Sequence, residues 1–372
     1  MNYIIQKDSS VPAYLQLYGK IRGDIVNGIY MYGTKLPSKR VIADETGVST
    51  ITAEHAYALL CDEGYVESRE RSGYFVIFRQ NDGFAAASEK KSIIRESNYH
   101  SQSREALPAF PFSVLTKTMR GVINDFGSSL LERPQNSGCP ELRTAIREYL
   151  ARSKGVLAET EQIIIGAGSE YLYGLIVGLL GRNRVFGIEY PSYKKIEQVY
   201  KACEVNYETL PLGHDGIESS NLRESRADVL HITPYRSFPS GVSASASKRH
   251  EYIRWAEKSG RYIVEDDFES EFSVSKKPEE TLFALSQNDN VIYMNTFSKT
   301  VSPSLRVGYM VLPKQLASVF AEKLGFYSCT VPTFIQLVLA QLISNGDFER
   351  HINRVRRRKR KESENKKADS IK

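Results

Sequence analysis

Between residues 162 and 312, short apolar runs alternate with helical segments, and no other feature restricts the fold as strongly. Residues 162–165, 184–188, 227–232, 262–264 and 290–294 read as strands without a polar side, and 170–180 and 196–202 as helices between them. Strands that are apolar on both faces need a cover on both faces, and crossover helices supply it. The pattern predicts an α/β sheet with helices on either side.

The last of these strands runs into Thr296, Phe297, Ser298 and Lys299, then a loop with Pro303 and Arg306, then a second apolar run over 307–312. A lysine between two short strands, flanked by hydroxyls and followed by an arginine, suits an aldehyde cofactor that carries a phosphate. The amine can form a Schiff base, and the hydroxyls and guanidinium can hold the phosphate. Ser-Lys-Thr alone is more simply a surface lysine in a polar turn; its neighbours tip the balance. Residues 166–169 form a glycine turn before a helix, where amides and the Ser169 hydroxyl could bind phosphate. Residues 189–193 follow a strand and present Tyr193, which could stack on a flat heterocycle. Residues 233–241 form a Pro/Gly turn, and 262–267 place carboxylates directly after a strand. A carboxylate beside a pyridine nitrogen keeps it protonated and makes the ring an electron sink. Taken singly, these are an ordinary glycine turn, a packing tyrosine and a solvated strand end.

Residues 1–80 form a different unit. Tyr14, Leu15, Leu17, Tyr18, Ile21, Ile25 and Val26 recur at helical spacing, and Asn27-Gly28 stops the helix. Ser38 caps a short helix through Thr46, which Gly47 ends. A third helix over 50–63 places Ala53, Ala56, Tyr57 and Leu60 on one face, and strands 65–69 and 74–78 follow. Three helices with a tight second turn, then a hairpin, predict a winged helix-turn-helix. Residues 81–106 lack an apolar period and read as a linker. The second domain is expected over 107–355 and a basic polar tail over 356–372.

Charge discriminates little. The chain carries a formal +6, but residues 350–372 hold 11 Lys and Arg against 3 Asp and Glu, leaving 39 against 41 elsewhere. Residues 1–80 are balanced at 9 and 9, so the basic tail is no sign that the body binds nucleic acid. Cys61, Cys139, Cys203 and Cys329 are scattered, which fits reduced thiols in a cytoplasmic protein. Neither they nor the six histidines have metal-ligand spacing, so no metal is expected. There is no apolar run near membrane-span length and no signal-peptide pattern at the start, so no membrane partner is expected.

Residues 11–78 resemble the GntR family of bacterial transcription regulators. The resemblance rests on Pro12-Ala-Tyr-Leu-Gln16, Gly33-Thr-Lys-Leu-Pro-Ser-Lys-Arg40, Gly47-Val-Ser49, Thr52, Ala56-Tyr57 and Glu63-Gly-Tyr-Val66. It implies that residues 50–57 enter the major groove of double-stranded operator DNA and that the wing at 69–73 follows the backbone. Ser38 and Arg40 would meet phosphates, and Ser49, Thr50, Thr52, His55, Arg69, Arg71 and Gly73 complete the implied DNA contacts. Thr50 and His55 stand where many members carry arginines, so base preference should differ. A helix-turn-helix used only for protein contacts is the plain alternative.

The order of glycine turn, aromatic, Pro-Gly turn, Asp and Lys resembles fold-type I aminotransferases dependent on pyridoxal phosphate, with an α/β/α sandwich. With the upstream unit, the chain from 11 to about 355 resembles the MocR/GabR subfamily of GntR regulators. The resemblance implies Lys299 as the Schiff-base lysine, Asp266 on the pyridine nitrogen and Tyr193 stacked on the ring. Ala167, Gly168, Ser169, Thr296, Ser298 and Arg306 would surround the phosphate. Phe268 replaces the family's tyrosine, which removes a hydrogen bond to the cofactor's 3-hydroxyl. Relatives continue past the helix at 348–356 into a small domain that supplies a carboxylate-binding arginine; here most of that domain is expected to be missing. The implied function is a cytoplasmic, homodimeric transcription regulator that senses an amine or amino acid through its cofactor without full transamination. The alternatives are a working aminotransferase, or a winged-helix regulator whose second domain is degenerate and cofactor-free.

Overall fold

In the computed structural model of the chain, the residues described are 3–6, 9, 11–70, 72–79, 109–258, 260–273 and 280–369. The expected linker at 81–106, the expected second-domain start at Leu107, and Arg71 lie outside them. The chain divides into two compact units, within 1–102 and 103–372.

The first unit holds α1 (Ala13–Val26), α2 (Lys39–Thr46), α3 (Thr50–Asp62) and the antiparallel pair β1 (Val66–Arg69) and β2 (Gly73–Val76). The helices start and stop where cap chemistry dictates. Ser38 Oγ accepts from Val41 N at 3.3 Å, Ser49 Oγ accepts from Thr52 N at 3.1 Å, and Gly47 ends α2 in the left-handed region. Leu17, Ile21 and Ile25 of α1 pack with Ala53, Ala56, Tyr57 and Leu60 of α3 and with Val66 and Val76 of the hairpin. Each buried Leu or Ile contributes about 1.5–3 kcal/mol over an exposed one.

The second unit holds α4 (Phe112–Phe126), α5 (Pro140–Lys154), β3 (Ile163–Gly166), α6 (Ser169–Leu180), β4 (Val185–Tyr190), α7 (Lys194–Ala202) and β5 (Asn206–Pro211). It continues with α8 (Ser219–Glu224), β6 (Val229–Ile232), α9 (Ala246–Ala256), β7 (Tyr262–Asp266), α10 (Leu282–Leu285) and β8 (Val291–Thr296). It closes with β9 (Gly308–Val311), α11 (Lys314–Lys323), α12 (Thr333–Ser344) and α13 (Asp347–Asp369). Seven strands form one sheet in the order β3-β9-β8-β7-β6-β4-β5. All neighbours are parallel except that β9 runs antiparallel to both β3 and β8.

The period of two along the strands assigns their side chains to opposite layers. Ile163, Ile165, Tyr293, Tyr309 and Val311 pack with α5, α12 and the start of α13. Ile164, Ile292, Met294 and Met310 face the opposite layer, with Tyr173 and Ile176 of α6 and Phe320 of α11. The result is the predicted sheet covered on both faces, an α/β/α sandwich. Strand β5 was not foreseen: it is a polar edge strand whose side chains are mostly only partly buried, so it carries no apolar run. The basic run at 356–361, read above as tail, lies on α13.

A buried polar cluster sits between α5 and β7. Lys154 Nζ is 3.1 Å from Asp267 Oδ2 and 3.9 Å from Glu271 Oε1, and it donates to Ser270 Oγ. Tyr293 donates to Asp267 Oδ2 at 2.8 Å, and Asn295 to Glu271 Oε1 at 2.7 Å. Burial pulls the Lys154 ammonium down, but the two carboxylates outweigh it and the net shift is upward. Burial pushes the Glu271 carboxyl up, against the pull of Lys154.

Candidate functional site

The C-terminal ends of β3, β4, β6, β7 and β8 lie along one edge of the sheet, because all five strands run the same way. Their following loops line a pocket of about 680 Å³. Ligands in open α/β sheets bind in this position, where loops diverge and backbone groups are free of the ladder. Of the cofactor residues expected from sequence, Ser169, Tyr193, Asp266, Thr296, Ser298, Lys299 and Arg306 all line this pocket.

Lys299 follows β8 and is held from two sides. Its Nζ donates to Glu269 Oε1 at 2.5 Å and sits 4.0 Å from the centre of the Phe268 ring. Carboxylate and ring fix the amine's position, and Glu269 is an acceptor for its proton. Asp266, at the end of β7, is 3 % exposed. Its Oδ2 accepts from Tyr173 OH at 2.5 Å and lies 3.6 Å from His231 Nε2, while His231 Nδ1 is 2.6 Å from Tyr200 OH. This carboxylate is therefore anchored from α6 and β6 and still reaches the pocket wall. Burial and Asp266 together push the Tyr173 hydroxyl far above its ordinary range, so it remains a donor.

Arg306 ends the loop between β8 and β9, in the left-handed region at φ 50°. Its Nη2 meets Glu170 Oε2 at 2.5 Å, and Glu170 also accepts from Lys195 Nζ at 2.6 Å. Partial burial alone would raise the Glu170 carboxyl, but Lys195 and Arg306 outweigh it and hold it down at about 2. Gly168 adopts φ 88°, and a Cβ there would stand 2.9 Å from Arg306 Nη2. Only glycine lets this turn approach the guanidinium. Thr296 Oγ1 lies 3.0 Å from both Ser298 Oγ and Val307 O, so its hydroxyl also braces the loop. Ala167 is not among the lining residues: its amide donates to Thr330 Oγ1 at 3.1 Å.

Sequence reasoning passed over Glu170, Lys195 and Glu269, which supply the counter-charges. They sit at helix starts and in a loop, where a charge is usually solvated, so no local signal marks them. It also passed over Glu189, 3 % exposed and held by Ser237 Oγ at 2.6 Å. Burial pushes its carboxyl up to about 8. The folded domain thus keeps a proton that the unfolded chain releases near the ordinary carboxylate value. A group whose folded pKa is raised costs stability as pH climbs between those two values. Glu189→Gln should therefore be more stable than wild type at pH 8.5 by about 2 kcal/mol and nearly equal to it at pH 5. Urea unfolding at the two pH values measures this; equal offsets at both would refute it.

In the first unit, Ser38, Arg40, Ser49, Thr50, His55 and Arg69 are exposed, and Thr52 and Gly73 partly so. Ser38 and Ser49 are the helix caps, and Ser49 Oγ also lies 2.8 Å from Thr52 Oγ1. His55 sets its ring edge against Tyr14 at 5.9 Å. Arg69 pairs with Glu67 and packs over the Phe75 ring at 4.4 Å. Gly73 turns the hairpin at φ 105°. The face of α3 that carries Thr50 and His55 is turned away from the unit's core.

Two family models match the chain. The model of bacterial regulatory proteins, gntR family, matches residues 13–76, and that of aminotransferase class I and II matches residues 107–368. The chain is 34 % identical over 369 residues to the uncharacterized HTH-type transcriptional regulator YdeL of Bacillus subtilis (strain 168), covering 96 % of this chain and 79 % of that protein. It is 29 % identical to the probable rhizopine catabolism regulatory protein MocR of Rhizobium meliloti, covering 95 % of this chain and 76 % of that one. Among solved structures, Pyrococcus horikoshii kynurenine aminotransferase in complex with PMP superposes with a TM-score of 0.61 at 26 % identity. That match covers 67 % of this chain and 64 % of the enzyme, so it spans less than two thirds of the enzyme's length.

Proposed function

The chain belongs to the GntR-family transcription regulators that carry an aminotransferase class I and II domain, the MocR/GabR-like subfamily, and on that premise we propose that its second domain binds pyridoxal phosphate and uses it to sense an amine or amino acid. The chain is a DNA-binding transcription regulator, and aminotransferases of this class generally bind that cofactor.

The observation that carries the proposal is the convergence of Lys299, Asp266, Tyr193, Ser169 and Arg306 on one pocket. The residues fit the group. A close-approach glycine turn and a guanidinium suit its phosphate, a buried carboxylate suits its ring nitrogen, and an aromatic side chain suits its ring face. Bound there, pyridoxal phosphate supplies an aldehyde that condenses reversibly with amines. Lys299 provides the amine that anchors it, and Glu269, 2.5 Å away, accepts the proton that this amine must lose. Asp266 lines the same pocket, its carboxyl fixed by the Tyr173 hydroxyl. Phe268 offers no hydrogen bond at its place, so the ring's hydroxyl is left to solvent or to other groups.

An effector amine that competes with Lys299 for the cofactor alters the ion pairs around it. Any difference in effector affinity between two domain arrangements then shifts DNA affinity by the same factor. A homodimer is the proposed working form, supported by Phe112, Leu131, Leu157 and Phe326, which leave large apolar side chains exposed on the second unit. Its proposed place of action is the cytoplasm, and among the described residues no helix is long and apolar enough to cross a membrane.

The DNA side is tested by mobility shift on the protein's own promoter at several salt concentrations. Arg40→Ala and Arg69→Ala should each weaken binding roughly tenfold, across all duplex sequences alike, and each should lower the salt slope by about 1. Loss confined to one operator sequence would mean that these arginines read bases instead. Unaltered affinity in both would remove them from the interface.

A further inference from the structure

Lys299 is matched by Glu269, and Asp266 is fixed by the Tyr173 hydroxyl. The pairing at the glycine turn is of another kind. Glu170, in the first turn of α6, commits both carboxylate oxygens to cations: Oε2 takes Arg306 Nη2 at 2.5 Å, and Oε1 takes Lys195 Nζ at 2.6 Å. Its own backbone N–H, one of the amides that a helix start leaves without a carbonyl partner, also holds the carboxylate's charge.

A guanidinium, an ammonium and a helix-start amide are the donors that a phosphate needs. Glu170 therefore stands on an anion site built from this chain's own donors. Gly168 keeps that site open, because a Cβ there would come within 2.9 Å of Arg306 Nη2. Glu170 is also no buried prop of the turn. Its side chain is 23 % exposed and those of Lys195 and Arg306 are 49 and 51 %, and pairs this open to water contribute little to folding. Two cations against one carboxylate leave this corner a single net positive charge, for a group that carries nearly two negative ones.

We infer that Glu170 is an internal competitor for the phosphate subsite: its carboxylate holds Arg306 until a phosphate displaces it, and it then stays on Lys195 alone. Its two oxygens serve different cations, so one contact can be given up while the other remains. The competition lowers the pocket's affinity for a phosphorylated ligand and leaves an unphosphorylated one untouched. The inference rests on the reading of the pocket as a pyridoxal phosphate site for the identity of that ligand. The opposite role for Glu170 is a buttress that aims the guanidinium at the phosphate, and removal of its charge separates the two by sign.

The full chain, wild type and Glu170→Gln, is titrated at constant ionic strength with pyridoxal phosphate, with pyridoxal, which lacks the phosphate, and with inorganic phosphate. Absorbance reads the first two and the thermal midpoint reads all three. Glu170→Gln keeps the side chain's shape and removes the anion that repels the incoming one. It should bind pyridoxal phosphate and inorganic phosphate about tenfold more tightly, with pyridoxal changed by less than about twofold. Glu170→Ala should shift binding in the same direction. Weaker binding of the phosphorylated ligands in both variants makes Glu170 a buttress and overturns the inference. Unaltered binding, or a gain that pyridoxal shares equally, overturns it too. These results leave the cofactor reading standing. A wild-type chain that shows no Lys299-dependent band on addition of pyridoxal phosphate sinks the cofactor reading instead. The inorganic phosphate titration then decides the role of Glu170, and no binding in either wild type or Glu170→Gln counts against it.

Discussion

Replacing Lys299 by alanine is expected to erase the visible absorption band that the protein gains from pyridoxal phosphate, while DNA binding in the absence of effector persists. The band requires the carbon–nitrogen bond to the lysine amine. Without it the cofactor is held by stacking and by its phosphate alone, and its affinity should fall at least ~100-fold, about 2.7 kcal/mol. Glu269 loses its ion pair in this variant, but both partners are partly exposed at 35 and 26 %, so the change in folding stability should be small. Absorbance and equilibrium dialysis on wild type and variant measure the two effects. A band that survives in Lys299→Ala would move the anchoring role to another amine and break the assignment on which the sensor rests.

The second large effect is expected beneath the pocket. Lys154 is 6 % exposed, and its partners Asp267 and Glu271 are 0 and 2 % exposed. Lys154→Met removes the cation with which both buried carboxylates pair, which costs about 3–5 kcal/mol. For a domain of this size the thermal midpoint should drop by roughly 10 °C. The pH dependence identifies the cause. Burial already holds the Glu271 carboxyl above its unfolded value, removing the ammonium raises it further, and such a group costs stability as pH rises past that unfolded value. The deficit should therefore shrink between pH 8 and pH 5. Adding Asp267→Asn and Glu271→Gln to Lys154→Met should recover much of the loss, because neutral groups need no buried counter-ion. A deficit that is flat in pH and persists in the triple variant would point to lost packing instead of stranded charge.

The parts of the protein that were legible beforehand share a physical basis. Apolar runs at 162–165 and 290–294 announced strands because both of their faces are covered. Lys299 and Asp266 marked pocket positions because polar groups at the ends of such strands stand at the open edge of the sheet, and Arg306 did so because it closes the loop between two of them. Ser38, Gly47 and Ser49 marked helix ends because caps obey local rules. What escaped notice depends on pairing across the fold. Glu170 and Lys195 look like solvated helix charges until α6 and α7 are laid side by side. Lys154 ends an amphipathic helix, the usual place for a solvated lysine, and only the tertiary structure buries it against β7. Strand β5 escaped because an edge strand needs only one good face. Lys359 lay in a run of basic residues whose composition points to solvent, and its place at the pocket follows from the length and direction of α13.

The antiparallel course of β9 has a consequence for the order in which the site assembles. Lys299 and Arg306 lie on one hairpin, joined by the loop of residues 297–307, so their separation is set by a short closure. Gly168 and Ser169 belong to the turn after β3, which pairs with β9 across about 140 residues of chain, a far costlier loop to close. The hairpin can therefore form early, and the glycine turn reaches the guanidinium only when the sheet is sealed at its β3 edge. A phosphate held by both parts, as proposed, would act as a latch on that last closure and would stabilise the finished domain as its occupancy rose.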